Sequence, residues 1–352
     1  MRASRPAGSR PNLEDVAARA GVSRATASRV VNGLSTVDPT LRAKVQKAVD
    51  ELGYAPNQAA RSLMTRRTDA VALLVSEPEV RVFSDPHFSG IIRGVSQEIN
   101  AAGLQLVLLM AQSPQDVHRV ERFLTAAPVD GVLLISEHAV DDPLQGWLAR
   151  SGMPFVVGGR PLQSDLPASY VDFENFEGAK VAAQHLASIG RSVIGTVAAP
   201  QDMSAGIDRL AGFKKGLGRS FRSGRVEFGD FTQRSGDAAT TALLERVPDL
   251  DGLFAASDLM ALGAISALRR AGRRVPEDVA VVGFDDNEFA LTADPPLTTV
   301  RQDPVLQGRL MVRLYLAQHR PDLELQRVDD IPDVHGLDHL IMPVTLVVRE
   351  SA

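Results

Sequence analysis

Three short stretches of helical periodicity open the chain, and a longer alternating pattern follows them. From residue 12 apolar side chains recur as Leu13, Val16, Ala17 and Ala20, which is one face of a helix. Asn12 stands where a capping side chain belongs, Glu14 and Asp15 fall in the first turn, and Gly21 ends the run. A second helix is predicted from Ser23 to Asn32, with Ala27, Val30 and Val31 inward and Gly33 at its end. A third begins at Asp38-Pro39, where a capping carboxylate precedes a proline whose missing N–H is harmless in the first turn. It buries Leu41, Val45, Ala48, Val49 and Leu52 before Gly53. Residues 1–11, rich in Arg, Pro, Gly and Ser, carry no period and read as a disordered tail.

Past residue 68 the texture changes. Apolar β-rich runs alternate with amphipathic helices: Val71–Val75, Leu104–Met110, Gly131–Ile135, Pro154–Val157, Val193–Ala198, Val226–Phe231, Gly252–Ala256 and Val279–Phe284. Alternation of this kind builds βαβ units and parallel sheets. So many units predict two doubly wound lobes, and in such sheets ligands sit near the carboxyl ends of the strands. A cleft between the lobes is therefore the expected site. The single tryptophan, Trp147, lies in a helical stretch and is read as packing.

Charge divides the chain at the same place. The net charge is -5, yet residues 1–68 hold twelve Lys and Arg against five Asp and Glu, leaving 26 basic and 38 acidic residues in the remainder. A basic head on an acidic body is the footprint of a protein whose head alone approaches phosphate. The chain has no cysteine, which removes disulfides, thiolate metal sites and zinc fingers together. No run reaches the ~20 apolar residues of a membrane span and no apolar signal core opens the sequence, so no membrane partner and a cytoplasmic location are expected.

The stretch from Leu13 to Asn32 reads as a helix-turn-helix. Ala17, Gly21, Val22 and Val30 are small or apolar where two helices cross. Arg24, Ala25, Thr26, Ser28 and Arg29 are left facing outward. Arginine makes paired hydrogen bonds to guanine in the major groove, and Thr or Ala meets a thymine methyl, so Arg24 and Arg29 are the main candidates for reading bases. The plainer reading is two solvated surface charges. Pro56 breaks the third helix, Asn57 caps a segment of about two turns, and Leu63 in that segment is suited to wedge into a minor groove.

These motifs together resemble the lactose-repressor (LacI) family of transcription regulators, from Leu13 to about Gln318. The resemblance is carried by Leu13, Val22-Ser23 and Ser28-Arg29-Val30-Val31-Asn32, then by Gly53-Tyr54, Pro56-Asn57, Ala60 and Leu63, then by Gly283-Phe284-Asp285-Asp286 and Pro296 to Asp303. It implies an all-α helix-turn-helix headpiece (12–56), a hinge helix and linker (57–69) and an α/β periplasmic-binding-protein-like core (70–352). The first lobe of that core is expected at about 70–170 and 297–320, the second at about 171–296 and 321–352, with residues 338–350 adding a strand pair to the second. It further implies a homodimer on double-stranded DNA at a palindromic operator, with Leu63 as the intercalating leucine and a small-molecule sugar as effector.

The resemblance also places Phe88, Arg160, Arg209, Phe231, Asp258 and Gln302 in the effector cleft. That set suits a saccharide, whose hydroxyl rims take Arg209 and Asp258 and whose flat ring faces take Phe88 and Phe231. Alternatively the two phenylalanines are core aromatics, and Arg160 pairs structurally with Asp172. Motifs including Val157-Gly-Gly-Arg-Pro161 and Tyr170-Val-Asp172 look most like regulators of cellobiose or related oligosaccharides. Many members carry an acid before the arginine after the fourth strand, where this chain has Gly159. The room that glycine leaves favours a disaccharide or larger ligand.

Competing functions find less support. Neither a GxxxxGK[ST] loop nor a strand-GxGxxG-helix fingerprint is present, and the seven histidines are scattered, so no enzyme activity, metal or cofactor is expected. His335 and His339 are four apart but flanked by Pro332 and Gly336, which argues for a loop. A transport binding protein shares the two-lobed core but has no use for a basic head. Within the regulator reading, a ligand that releases the protein from DNA and one that recruits it are both open.

Overall fold

The computed structural model describes residues 11–31, 37–54, 67–126, 129–136, 138, 143–162, 168–323, 325–326, 328 and 331–352. Two compact units divide the chain, one ending at Thr68 and the other running from Asp69 to Ala352.

In the first unit, α1 (Leu13–Ala20), α2 (Arg24–Val31) and α3 (Pro39–Leu52) follow the predicted periods within a residue at each end. The Asn12 side chain accepts from the Glu14 and Asp15 N–H groups, and the Asp15 carboxylate accepts the Asn12 N–H in return. Asp38 caps α3 through Thr40 and Leu41. Gly21 ends α1 at φ 67°, a left-handed conformation that glycine adopts without a Cβ clash. Val16, Ala27 and Val45 are fully buried where the three helices meet, with Ala17, Val30, Val37 and Ala48 beside them. Asn12→Ala removes the side-chain oxygen that accepts from the Glu14 and Asp15 N–H groups and should cost about 1 kcal/mol. Amides of Leu13–Ala20 in the full-length chain are then expected to exchange about fivefold faster.

The second unit holds two six-stranded sheets. The first contains β1 (Ala70–Val75), β2 (Gln105–Met110), β3 (Gly131–Ile135), β4 (Phe155–Gly158) and β5 (Ser169–Phe173), all parallel. The second contains β6 (Ile194–Ala198), β7 (Val226–Phe228), β8 (Gly252–Ala255), β9 (Ala280–Asp285) and β10 (Thr298–Arg301), also parallel. Strands β1 and β3 are buried at every position, which explains their unbroken apolar sequences: helices cover both faces of the sheet. Trp147 is half-buried in one of these layers, as its helical stretch predicts. No described helix is long and apolar enough to cross a membrane.

The C-terminal strands correct the expected lobe boundaries. β10 belongs to the second sheet, beside β9, and not to the first lobe with the helix Pro304–His319 that follows it. β11 (His339–Met342) runs parallel to β5 at the edge of the first sheet, whereas β12 (Thr345–Val347) is antiparallel to β10 in the second. Residues 338–350 are thus no strand pair. Among the described residues they are one of three crossings between the lobes, the others lying between Phe173 and Asn175 and between Arg301 and Pro304. Leu323, Leu325, Val328, Ile331 and Val334 pack into or against the first-lobe core, so these described residues belong there too.

Candidate functional site

On the head, α2 presents Arg24, Ala25 and Arg29 to solvent, with Thr26 and Ser28 half-exposed beside them. The Ser23 hydroxyl accepts the Thr26 N–H at 3.1 Å and so fixes the start of this helix. Arg24 approaches Glu14 only at 4.0 Å, both side chains being 71% exposed, and such a contact leaves the guanidinium available to a stronger acceptor. Leu13 and Tyr54 are half-buried against the head's own core. The remaining candidates, Asn32, Asn57, Ala60 and Leu63, lie outside the described residues, as do the segment 57–65 and the tail up to residue 10.

In the core, a cavity of about 90 Å³ opens between the two lobes at the carboxyl ends of their strands. Its polar side is organised by Arg209 of the helix Ser204–Leu217, which is only 4% exposed. Arg209 Nε donates to Asn175 Oδ1 at 2.9 Å, Nη1 to the Ala256 carbonyl at 2.6 Å and to Asp285 Oδ1 at 3.4 Å, and Nη2 to Gln302 Oε1 at 3.3 Å. The guanidinium carbon stands 3.6 Å from the centre of the Phe284 ring. Gln302 Nε2 donates to Asp285 Oδ1 at 2.7 Å and faces His87 Nδ1 at 3.4 Å. Six segments of the chain therefore converge on one hydrogen-bonded cluster. A buried cation of this kind is tolerable only when such acceptors surround it.

Electrostatics at the cluster follow from burial. Burial pushes the Asp285 carboxyl up to about 7, with Arg209 pulling against it and Asp85 adding to it. Burial pushes His87 down to about 4, against the Asp85 carboxylate and helped by Arg209 and Arg81. The imidazole is accordingly neutral at pH 7, so its Nδ1 is able to accept from Gln302. Asp285 and Asp286 sit at φ 117° and 53°, strained for residues with a Cβ, and the strain is held by the strands on either side.

Of the six predicted cleft residues, Phe88, Arg160, Arg209, Phe231 and Gln302 line the cavity. Asp258 does not. It is fully buried in the first turn of its helix, where its carboxylate accepts the Asn287 N–H at 2.9 Å and meets the Thr299 hydroxyl. It braces the backbone that follows Asp285. Burial, with Asp285's charge next, raises its pKa well above the usual carboxylate range. Phe88 and Phe231 are 2% and 8% exposed, so they serve the cores of their lobes and the cavity wall at once.

Arg160 is paired with Asp208 and not with Asp172. Its Nη2 reaches both Asp208 oxygens, at 2.9 and 3.0 Å, and the pair ties the end of β4 to the second lobe. The Asp172 carboxylate instead accepts from the Phe173 N–H and from Asn175 Nδ2. Gly159, just before Arg160, has φ 114° and is open towards Ser204, so a side chain there meets backbone strain and not crowding.

A second contact between the lobes lies at His138. Its Nδ1 is 2.8 Å from Asp202 Oδ2 in the second lobe, and its Nε2 is 3.3 Å from Glu77 Oε1 in the first. The Glu77 hydrogen bond and then Asp202 raise the imidazole to about 9, against partial burial.

Comparison with known proteins meets the head and the core together. Residues 12–57 match the pattern of bacterial regulatory proteins of the lacI family, and residues 183–352 that of the periplasmic binding protein-like domain. The HTH-type transcriptional regulator CelR of Thermobifida fusca is 50% identical over 309 residues, 87% of this chain and 91% of that protein. The chain belongs to the lacI family. Among solved structures, this lacI-family chain is similar to the transcriptional regulator CelR-cellobiose complex, with TM-score 0.74, 44% identity and coverage of 97% of this chain and 100% of that one. It is also similar to the lac repressor dimer bound to operator and the anti-inducer ONPF, with TM-score 0.83, 28% identity and coverage of 97% and 99%.

The lacI-family motif Gly283 to Asp286 was visible in the sequence as a family marker, yet its Asp285, and not Asp258, lines the cavity, together with Asp85 and Asp172. Asn175 and Arg81 were missed altogether. A signal for Asp285 existed: an acid ending an otherwise apolar strand stands at the carboxyl edge where parallel sheets hold ligands.

Proposed function

We propose that this chain is a homodimeric repressor of carbohydrate-utilisation genes that is released from a palindromic operator by a saccharide, with cellobiose or a related oligosaccharide favoured. The observation that carries the reading is the convergence of Arg209, Asp285, Asn175 and Gln302 beside two aromatic rings, in a chain half identical to a regulator named CelR and similar to a solved CelR-cellobiose complex. Charged and amide groups suit sugar hydroxyls, and the rings of Phe88 and Phe231 suit the apolar face of a pyranose. On the head, Arg24, Ala25, Thr26, Ser28 and Arg29 are the base-facing set, with Arg24 and Arg29 leading. The family resemblance adds Leu13, Ser23, Asn32, Tyr54, Asn57, Ala60 and Leu63.

Closure of the cleft on a ligand and occupation of the operator are two ends of one equilibrium. A sugar that favours the released state must itself bind more weakly when operator is present, by the same factor. Fluorescence anisotropy of the full-length protein on a labelled duplex from its own upstream region tests this, with cellobiose and a panel of other sugars added in turn. Tight, salt-sensitive binding abolished by one sugar is the expected result. Binding strengthened by the sugar reverses the sense of control. Survival of binding against every sugar removes the saccharide reading, and absence of specific binding on palindromic duplexes removes the DNA reading. Arg24→Ala and Arg29→Ala are expected to weaken specific binding more than non-specific binding.

A further inference from the structure

The cleft is smaller than its proposed ligand. Sites that enclose small molecules run from roughly 300 Å³ upwards, whereas this cavity has about 90 Å³. Arg81 is among the side chains that line it. Its guanidinium carbon lies 4.7 Å from the centre of the Phe231 ring and 5.5 Å from that of Phe88, so one cation from the first lobe covers both aromatic faces, including the one on the second.

Two further observations show how Arg81 is held. Its Nη1 is ion-paired to Glu77, which is 3% exposed, and the same carboxylate takes the Ser136 hydroxyl at 2.9 Å and faces His138. Its Nε is buried without a hydrogen-bond partner, a donor taken out of water with nothing in return. The helix Glu79–Ser84 that carries it is anchored through Val82, whereas Val80 and Phe83 are 81% and 72% exposed. Arg81 is therefore firmly tied at Glu77 and incompletely satisfied over the rings.

We propose that Arg81 is a built-in occupant of the saccharide slot: its guanidinium lies over the faces of Phe88 and Phe231 that a pyranose ring needs, and the effector binds by displacing it. This rests on the reading of the cleft as a saccharide site. A cation over an aromatic face and the C–H face of a sugar compete for the same surface, so only one of them is accommodated at a time. Arg81 then sets the threshold concentration at which the effector acts. It also favours ligands whose contact with the rings outweighs that of the guanidinium.

Calorimetric titration of cellobiose into the full-length protein decides the matter, comparing wild type with Arg81→Ala. Loss of the internal competitor is expected to tighten binding roughly three- to tenfold, the worth of a partly desolvated cation–π contact. Unchanged or weaker binding overturns the proposal, because a guanidinium that stays and donates to the sugar is missed when removed. If neither protein binds cellobiose or any sugar of a panel, the saccharide reading of the cleft falls, and the displacement falls with it. Arg81→Ala leaves Glu77 short of a partner; the Glu77→Gln/Arg81→Ala double variant repeats the comparison with that charge removed. In fluorophenylalanine-labelled protein without ligand, Arg81→Ala must shift the ¹⁹F resonances of Phe88 and Phe231, and cellobiose must shift them in the same direction in wild type. Resonances that stay where they were show that Arg81 does not occupy the slot.

Discussion

Replacing Arg209 by Met is expected to abolish the response to effector while operator binding without ligand persists. The guanidinium is held by Asn175, Ala256, Asp285 and Gln302 and is almost wholly out of water. Without it, Asp285 loses the cation that pulls against burial, and its carboxyl, already raised to about 7, rises further and becomes neutral at working pH. The cleft thereby loses a donor fork and an anionic acceptor in a single substitution. Truncating one partner of a buried, hydrogen-bonded charge pair at a binding surface costs about 2–5 kcal/mol of affinity, so effector binding is expected to weaken at least about thirtyfold. Calorimetry reads that loss, and anisotropy on operator DNA reads what persists. Asp285→Asn controls for folding: it keeps the hydrogen bonds to Gln302 and Arg209 with less charge, so its affinity is expected to lie between wild type and Arg209→Met. An Arg209→Met protein with unaltered effector affinity removes the cluster from the site.

The contact between the lobes at His138 is expected to be worth about 2 kcal/mol below pH 6.5 and to be lost as pH climbs through about 9. The imidazole is raised from 6.5 to about 9 in the folded protein. A base raised on folding stabilises fully below its unfolded pKa, and that contribution is lost as pH climbs through the folded value. The gap corresponds to about 3 kcal/mol at 1.4 kcal/mol per unit, and 28% exposure of the side chain lowers it through solvent screening. Urea unfolding of wild type and His138→Gln across pH 6 to 9.5 isolates this group, because His87 and Asp285 titrate in both proteins and cancel in the difference. A difference in stability that is the same at pH 6 and pH 9.5 shows that His138 does not carry the charge that ties Glu77 to Asp202.

Much of this molecule is written locally. Asn12 and Asp38 cap their helices, Gly21 and Gly53 end them in left-handed turns, and the apolar period hides Val16, Ala27 and Val45 while leaving Arg24 and Arg29 outside. Each of these signals acts within about four residues, the reach of a helical turn, so it reads directly from the sequence. The same holds for β1 and β3, whose unbroken apolar runs require burial on both faces. Residues of a short, mixed-polarity strand such as β10 or β11 carry no comparable instruction.

What the sequence by itself determined was the three head helices, the apolar strand runs of an alternating α/β core, the basic head, the two-lobed core and the kinds of residue the cleft would need. Tertiary structure alone decided which sheet received β10 and β11, that Asp285 and not Asp258 faces the cavity, that Arg160 meets Asp208, and that Glu77, His138 and Asp202 join across the lobes. The reason is physical. A cap or an amphipathic face is settled between near neighbours in the chain, whereas an ion pair 48 or 64 residues apart forms only after sheet order and chain crossings have brought its ends together.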